Sequence, residues 1–159
     1  MIERVTETAA PEVGPIVREV VVRCPLDRAF EVFTADIDSW WPLPTHSIGG
    51  GVEHVTLEKR VGGRIYEGRA DGSVADWGTI LEWQPPTRLR FDWRVNPENP
   101  ATEVEVVFAA IDAGTTRVTV EHRGWEQFDG PRLEKVRDSY GSERGWTTVM
   151  RKFAAHAEA

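Results

Sequence analysis

Four histidines, one cysteine and seven tryptophans are the side chains of this chain best suited to chemistry or recognition. His122 has the clearest setting. Val118, Val120 and His122 alternate with Arg117, Thr119 and Glu121, so His122 faces the apolar side of a strand. An imidazole there serves as a general acid or base, as an orienting donor, or as a hydrogen-bonded core residue. His46 and His54 flank a glycine stretch and could approach one site. The histidines have no metal-ligand spacing and Cys24 stands alone, so no metal and no other cofactor is expected. Cys24 precedes Pro25 on an inward strand face and reads as an inert buried thiol. Gly49, Gly50 and Gly51 follow no strand and precede no helix, unlike a phosphate cradle. They read as a connector, or as a flexible lid.

The aromatic residues form the second group. Phe33, Trp40, Trp41, Trp93, Trp146, Met150 and Phe153 could line one cavity with His122, because large rings shape a slot for a flat or lipophilic molecule. The same side chains also suit a filled core, since interiors pack densely.

The elements that must position them follow from periodicity. Val20, Val22 and Cys24 lie on one face of a strand over Ile16–Arg23. Pro25 then stands where a helix starts, and Leu26, Ala29, Phe30 and Phe33 make its apolar stripe. Asp36 is placed to cap a short second helix that Pro42 stops. Residues 42–51 have no period and read as a loop. Strands follow over Val52–Lys59, Arg64–Ala70, Asp76–Trp83, Leu89–Val95, around Val104–Phe108 and around Val118–His122, separated by turns such as Gly62-Gly63, Asp71-Gly72 and Asp112–Gly114. Glu103, Glu105 and Glu121 face outward on these strands and read as solvated, edge-protecting charges. Trp146, Val149, Met150, Phe153 and Ala157 repeat at helical spacing, and Leu133, Val136 and Tyr140 extend the stripe upstream. A helix from about Arg132 to about Ala157 is therefore expected. Gly141 and Gly145 interrupt it, either as a kink or to admit a close neighbour.

Strand, two short helices, six strands and a long helix make an α+β domain. Short turns pair the strands antiparallel, about seven in all, and only the last helix is long enough to cover their apolar face. Residues 1–15 read as a flexible tail and residues 16–159 as one domain. The net charge of -7 argues against a nucleic-acid partner or an anionic membrane surface. No apolar run reaches the ~18 residues of a membrane span, and the acidic N-terminal stretch is no secretory signal, so a cytoplasmic location is expected.

Several strings recur together in one known family: CPLDRAFEVFT, DIDSWWP, RVGGRIYEG, WGTILEWQPPTRLRFDW, TTRVTVEHRGW and GWTTVMRKFAAH, over residues 16–157. In this set the chain resembles proteins like the activator of heat-shock-protein-90 ATPase, within the START-like (SRPBCC) superfamily. The resemblance implies a helix-grip fold, a curved sheet around a long C-terminal helix, often with an apolar cavity between them. It implies three functions: a binding protein for a small lipophilic or aromatic ligand, a cyclase- or hydrolase-like enzyme using the same cavity, or a chaperone-interacting protein, with a stress-response role. The ligand-binding reading is preferred here, with His122 as the one weak catalytic candidate. If the helical stripe is correctly assigned, Phe153→Ala should lower unfolding free energy by about 3–5 kcal/mol in chemical denaturation. A loss below roughly 1 kcal/mol would place the ring outside the core.

Overall fold

The alternation read from the first strand appears directly as burial. In β1 (Ile16–Val22), Ile16 and Val22 are buried while Val17, Glu19 and Val21 face solvent. The computed structural model describes residues 14–43, 45–46, 51–95, 98–128 and 130–159, so most of the tail reading and Gly49-Gly50 lie outside the described residues. After β1 come α1 (Leu26–Thr34) and α2 (Ile37–Trp40), then β2 (Val52–Leu57), β3 (Arg64–Arg69), β4 (Val74–Gln84), β5 (Arg88–Trp93), β6 (Thr102–Asp112) and β7 (Thr115–Arg123). These strands form one antiparallel sheet in the order β1-β7-β6-β5-β4-β3-β2. The first strand thus joins the sheet beside the last one.

The pairing shifts between β3 and β4 at Ile65/Tyr66 and between β4 and β5 at Ile80/Glu82, and irregularities of this kind bend a sheet. Gly78 sits within that bend. A Cβ there would collide with the Asp92 carbonyl oxygen, so only glycine lets β4 pass this close to β5. Apolar residues of the concave face, among them Leu89, Phe91, Val106, Phe108 and Val120, are buried beneath the helices. Phe33 of α1 meets Phe108 at 5.8 Å and Phe153 of the last helix at 5.3 Å, both edge to face. That ring stack clamps α1 and the C-terminal helix onto the sheet.

Two local readings are corrected. Asp36 makes no side-chain cap; its carboxylate lies 3.4 Å from the Arg28 guanidinium instead. Glu103, Glu105 and Glu121 do not guard an edge, because β6 and β7 are interior strands and the edges are β1 and β2. On the convex face they surround Arg123, which reaches them at 2.6, 3.0 and 3.0 Å, while Arg88 and Arg90 tie Glu105 and Glu103 across to Glu82. The long C-terminal helix is present as read, and of the two glycines expected to interrupt it the break falls at Gly145. The helix consists of α3 (Gly130–Gly141), a π-type turn over Glu143–Thr147, and α3's continuation α4 (Thr148–Ala157).

The interruption has a local cause. Gly145 takes φ -88° and ψ -127°, outside helical values, and a Cβ on it would run into the Tyr140 carbonyl oxygen. Gly141 differs. A Cβ there would only touch Ile16 Cδ1 at 3.5 Å, an ordinary contact. The two glycines should therefore respond oppositely to alanine. Gly141→Ala is expected to leave stability unchanged or raise it by up to about 1 kcal/mol, the helix-propensity difference. Gly145→Ala is expected to cost about 1–3 kcal/mol through overpacking. Urea unfolding of both variants checks this, and equal effects would contradict the break.

Candidate functional site

The site is built around one buried donor. The Trp146 indole can only donate a hydrogen bond, and the ring is buried, so it must find an acceptor. It finds His122 Nδ1 at 2.8 Å. That bond sets the tautomer: Nδ1 accepts, so the proton sits on Nε2. Nε2–H then donates to Thr102 Oγ1 at 2.6 Å, and the Thr102 hydroxyl donates to the Trp93 carbonyl at 3.1 Å. The imidazole is enclosed, with the Trp125 ring centroid 4.3 Å away and that of Tyr140 4.8 Å away. Burial lowers its pKa to about 3, so it stays neutral at ordinary pH. With both nitrogens engaged, His122 positions Trp146 and has no lone pair or proton to offer a substrate.

Beside this chain lies a cavity of about 610 Å³. It opens between β5, the segment after α2, and the break in the C-terminal helix. Trp41, Trp93 and Trp146 line it. Their rings also touch one another, with centroids 5.8, 6.2 and 6.0 Å apart for the three pairs. Val95, Val149 and Tyr140 continue the apolar lining. Polar groups collect on the remaining side: Thr45, His46, Ser139, Arg144 and Thr148. Gly145 belongs to the wall as well, so the helix break is part of the cavity's shape.

The loop segment is tied to that break. Trp41 Nε1–H donates to the His46 carbonyl at 2.8 Å. The His46 ring bonds the Arg144 carbonyl through Nε2, which makes Nδ1 the acceptor for the Thr45 hydroxyl at 2.6 Å. On the opposite wall, Trp93 Nε1–H donates to the Tyr140 hydroxyl oxygen at 3.2 Å. Burial raises the Tyr140 pKa, with the bond from Trp93 working against it, so the phenol keeps its proton.

The residues singled out from sequence divide into groups. Trp41, Trp93 and Trp146 line the cavity. Trp40 borders a separate open groove, with Trp41, Thr45 and Thr148 common to both. Phe33, Met150 and Phe153 line neither; they are 1%, 1% and 0% exposed and belong to the packed core. His122 stands behind Trp146 rather than at the surface of the cavity. His46 and His54 do not converge, because His54 turns to the Asp38 carboxylate at 3.2 Å. Burial pushes the Cys24 thiol pKa up, which keeps it protonated. Among the described residues no cluster of three or more His, Cys, Asp or Glu could hold a metal ion. Sequence reasoning missed Tyr140 and Arg144 as lining residues. It had read Tyr140 as helix stripe, and the signal available was the pair Gly141 and Gly145 bracketing the break.

An antiparallel sheet curled around a C-terminal helix, with an indole-walled cavity between them, defines a helix-grip protein of the START-like (SRPBCC) type. The chain belongs to the family described as activator of Hsp90 ATPase homolog 1-like proteins, whose model matches residues 23–158. A comparison with curated proteins gives no match. Among solved structures, the chain is similar to an anthrahydroquino-gamma-pyrone synthase, Txn09, at 34% identity and TM-score 0.60, over 91% of this chain and 98% of that one. It is also similar to CalC, a self-sacrificing resistance protein of Micromonospora echinospora, at 27% identity and TM-score 0.66, over 92% of this chain and 95% of that one. Protein MLL2253 of Mesorhizobium loti shares the fold at 18% identity and TM-score 0.65, over 89% of this chain and 94% of that one. Among the described residues no helix is long and apolar enough to cross a membrane.

The buried imidazole carries a pH signature. His122 ionises at about pH 3 in the fold, against a usual 6.5. Below pH 6.5 the unfolded chain takes up a proton at this position and the folded one does not. Stability should therefore fall as pH drops from 6.5 toward 3, by roughly 1.4 kcal/mol per pH unit from this group. Denaturant titrations between pH 6.5 and 5, above most carboxylate titration, read it against His122→Gln. Parallel slopes in the two proteins would show that the imidazole is not held neutral.

Proposed function

We propose that this protein binds a flat polycyclic aromatic molecule in the cavity between the sheet and the C-terminal helix. One observation carries the reading: three mutually touching indoles, Trp41, Trp93 and Trp146, form its lining. Each spends its N–H on a neighbouring protein group, so what remains for a ligand is ring surface. Such walls favour stacking and edge contacts with another ring system. A volume of about 610 Å³ suits a drug-sized tricyclic or tetracyclic molecule. The likeness to a synthase whose name contains an anthrahydroquinone, over almost all of both chains, supports the same ligand chemistry.

A second reading is that the bound molecule is transformed there, as the synthase's name states for that protein. The polar groups gathered at the cavity, Thr45, His46, Ser139, Tyr140 and Arg144, support it. His122 does not, because both of its nitrogens are engaged. For a chaperone-contacting role a contiguous apolar surface would be wanted. The exposed valines of the convex face are instead divided by polar cross-strand neighbours: Val17 by Glu121, Val21 by Arg117, Val107 by Thr119.

Flat polycyclics should quench the tryptophan fluorescence saturably and raise the melting temperature, whereas Trp41→Ala should weaken both responses. At a ligand concentration one hundred times Kd the stabilisation should be about 2.7 kcal/mol. A panel of polycyclics, phenolics and fatty acids that moves neither signal would overturn the binding reading. Mass spectrometry of ligand and intact protein after incubation then separates the alternatives: altered ligand with unaltered protein supports the enzyme, and an unaltered pair supports the carrier.

A further inference from the structure

Two polar side chains of the cavity have capacity that the protein does not use. The first is Tyr140. Its hydroxyl oxygen accepts the Trp93 indole N–H at 3.2 Å, which fixes the direction of that bond. The hydroxyl's own proton has no acceptor among the described residues, although the ring packs against His122 and Trp125. Tyr140 is only half-buried, so this donor faces the cavity and is left for whatever occupies it. The second is Arg144, one helical turn further on and beyond the start of the π-type turn. Its carbonyl holds the His46 ring, so the backbone here is anchored to the facing loop segment. Its guanidinium is exposed at the cavity and has no carboxylate partner among the described residues. Its charge is therefore open to an anion at the cavity, unlike the guanidiniums of Arg88, Arg90 and Arg123, which glutamates hold on the sheet.

We infer that Tyr140 and Arg144 form a two-point subsite for an acidic, carbonyl-bearing polycycle. The Tyr140 hydroxyl donates to a ring carbonyl, and the Arg144 guanidinium faces an ionised carboxylate or acidic phenol nearer the mouth. The inference rests on the aromatic-cavity reading and specifies its ligand class. Burial keeps the phenol protonated well into the alkaline range, so the donor is present at any ordinary pH. The Trp93 bond adds to it, because an oxygen that already accepts one hydrogen bond is the stronger donor of the next. The three indoles supply binding that does not distinguish an oxygen-bearing ring from a bare one. Tyr140 supplies the distinction, because only a ring carbonyl or an equivalent oxygen satisfies it.

The test uses two probes with the same fused tricyclic framework and the same charge, anthraquinone-2-carboxylate and anthracene-2-carboxylate, titrated calorimetrically into the full-length protein. The quinone should bind about tenfold tighter, the discrimination expected for one satisfied donor in an enclosed site. Tyr140→Phe should abolish that preference, read as the ratio of the two affinities within the variant. Arg144→Gln should weaken both probes by a similar factor and remove most of the salt dependence of binding. If neither probe binds, the cavity reading itself fails. If both bind equally to the unmodified protein, or the preference survives in Tyr140→Phe, the cavity reading stands and this inference is overturned. The comparison within the unmodified protein decides the matter even where a variant folds poorly.

Discussion

The arrangement depends on where one indole N–H can go. Trp146 sits at the break in the C-terminal helix, buried against the sheet, and its only polar atom needs an acceptor that the sheet must provide. His122 provides it from β7, and Thr102 on β6 completes the imidazole's other side. Because Thr102 passes its own proton to the Trp93 carbonyl on β5, three neighbouring strands and the helix share one hydrogen-bonded chain. A chain of this kind is stabilising only when every member is satisfied, and here each is. It fixes the helix in register on the sheet, and through that fixes Trp146 as a wall of the cavity. The same requirement makes His122 unsuited to proton transfer: a histidine that holds the helix has nothing left for a substrate.

Five of the other six indoles follow the same logic. Trp40 donates to the Val32 carbonyl, Trp41 to the His46 carbonyl, Trp77 to Glu67, Trp93 to Tyr140 and Trp125 to the His122 carbonyl. Each polar end is directed into the protein, so the rings facing the cavity present carbon. An aromatic-rich sequence of this kind therefore does two things at once. It fills the interior where Phe33, Phe108 and Phe153 interlock, and it leaves a lined space where the helix backbone departs from its course at Gly145. Gly145, where a Cβ would collide with the Tyr140 carbonyl oxygen, is part of the wall of that space. On the convex face, opposite charges alternate across β4 to β7, and this supports the register of the strands.

Much of the architecture was legible in the residues. Alternation at Ile16–Val22 and Val118–His122, the helical stripe from Trp146 to Ala157, and the glycine and aspartate turns between strands each follow from local physics: side chains alternate across a strand and recur every three or four residues on a helix. The inward direction of His122 came from that alternation too. So did the expectation that its strand neighbours Glu103, Glu105 and Glu121 face outward, although their bonding to Arg123 did not.

What the amino-acid sequence determined by itself was which face of each element is apolar, and hence the sheet, the covering helix and the set of buried rings. Only the tertiary structure decided which rings line a space and which fill one. Phe33 and Phe153 carry the same local signal as Trp93 and Trp146, yet the first two meet each other and the last two border the cavity. It likewise decided the hydrogen-bond partners of His122 and Tyr140. A hydrogen-bond partner more than a dozen residues away, such as Trp146 for His122 or Tyr140 for Trp93, leaves no trace in periodicity. Period reports only on the element a residue belongs to, whereas capacity left over for a ligand is what remains after every contact across elements has been made.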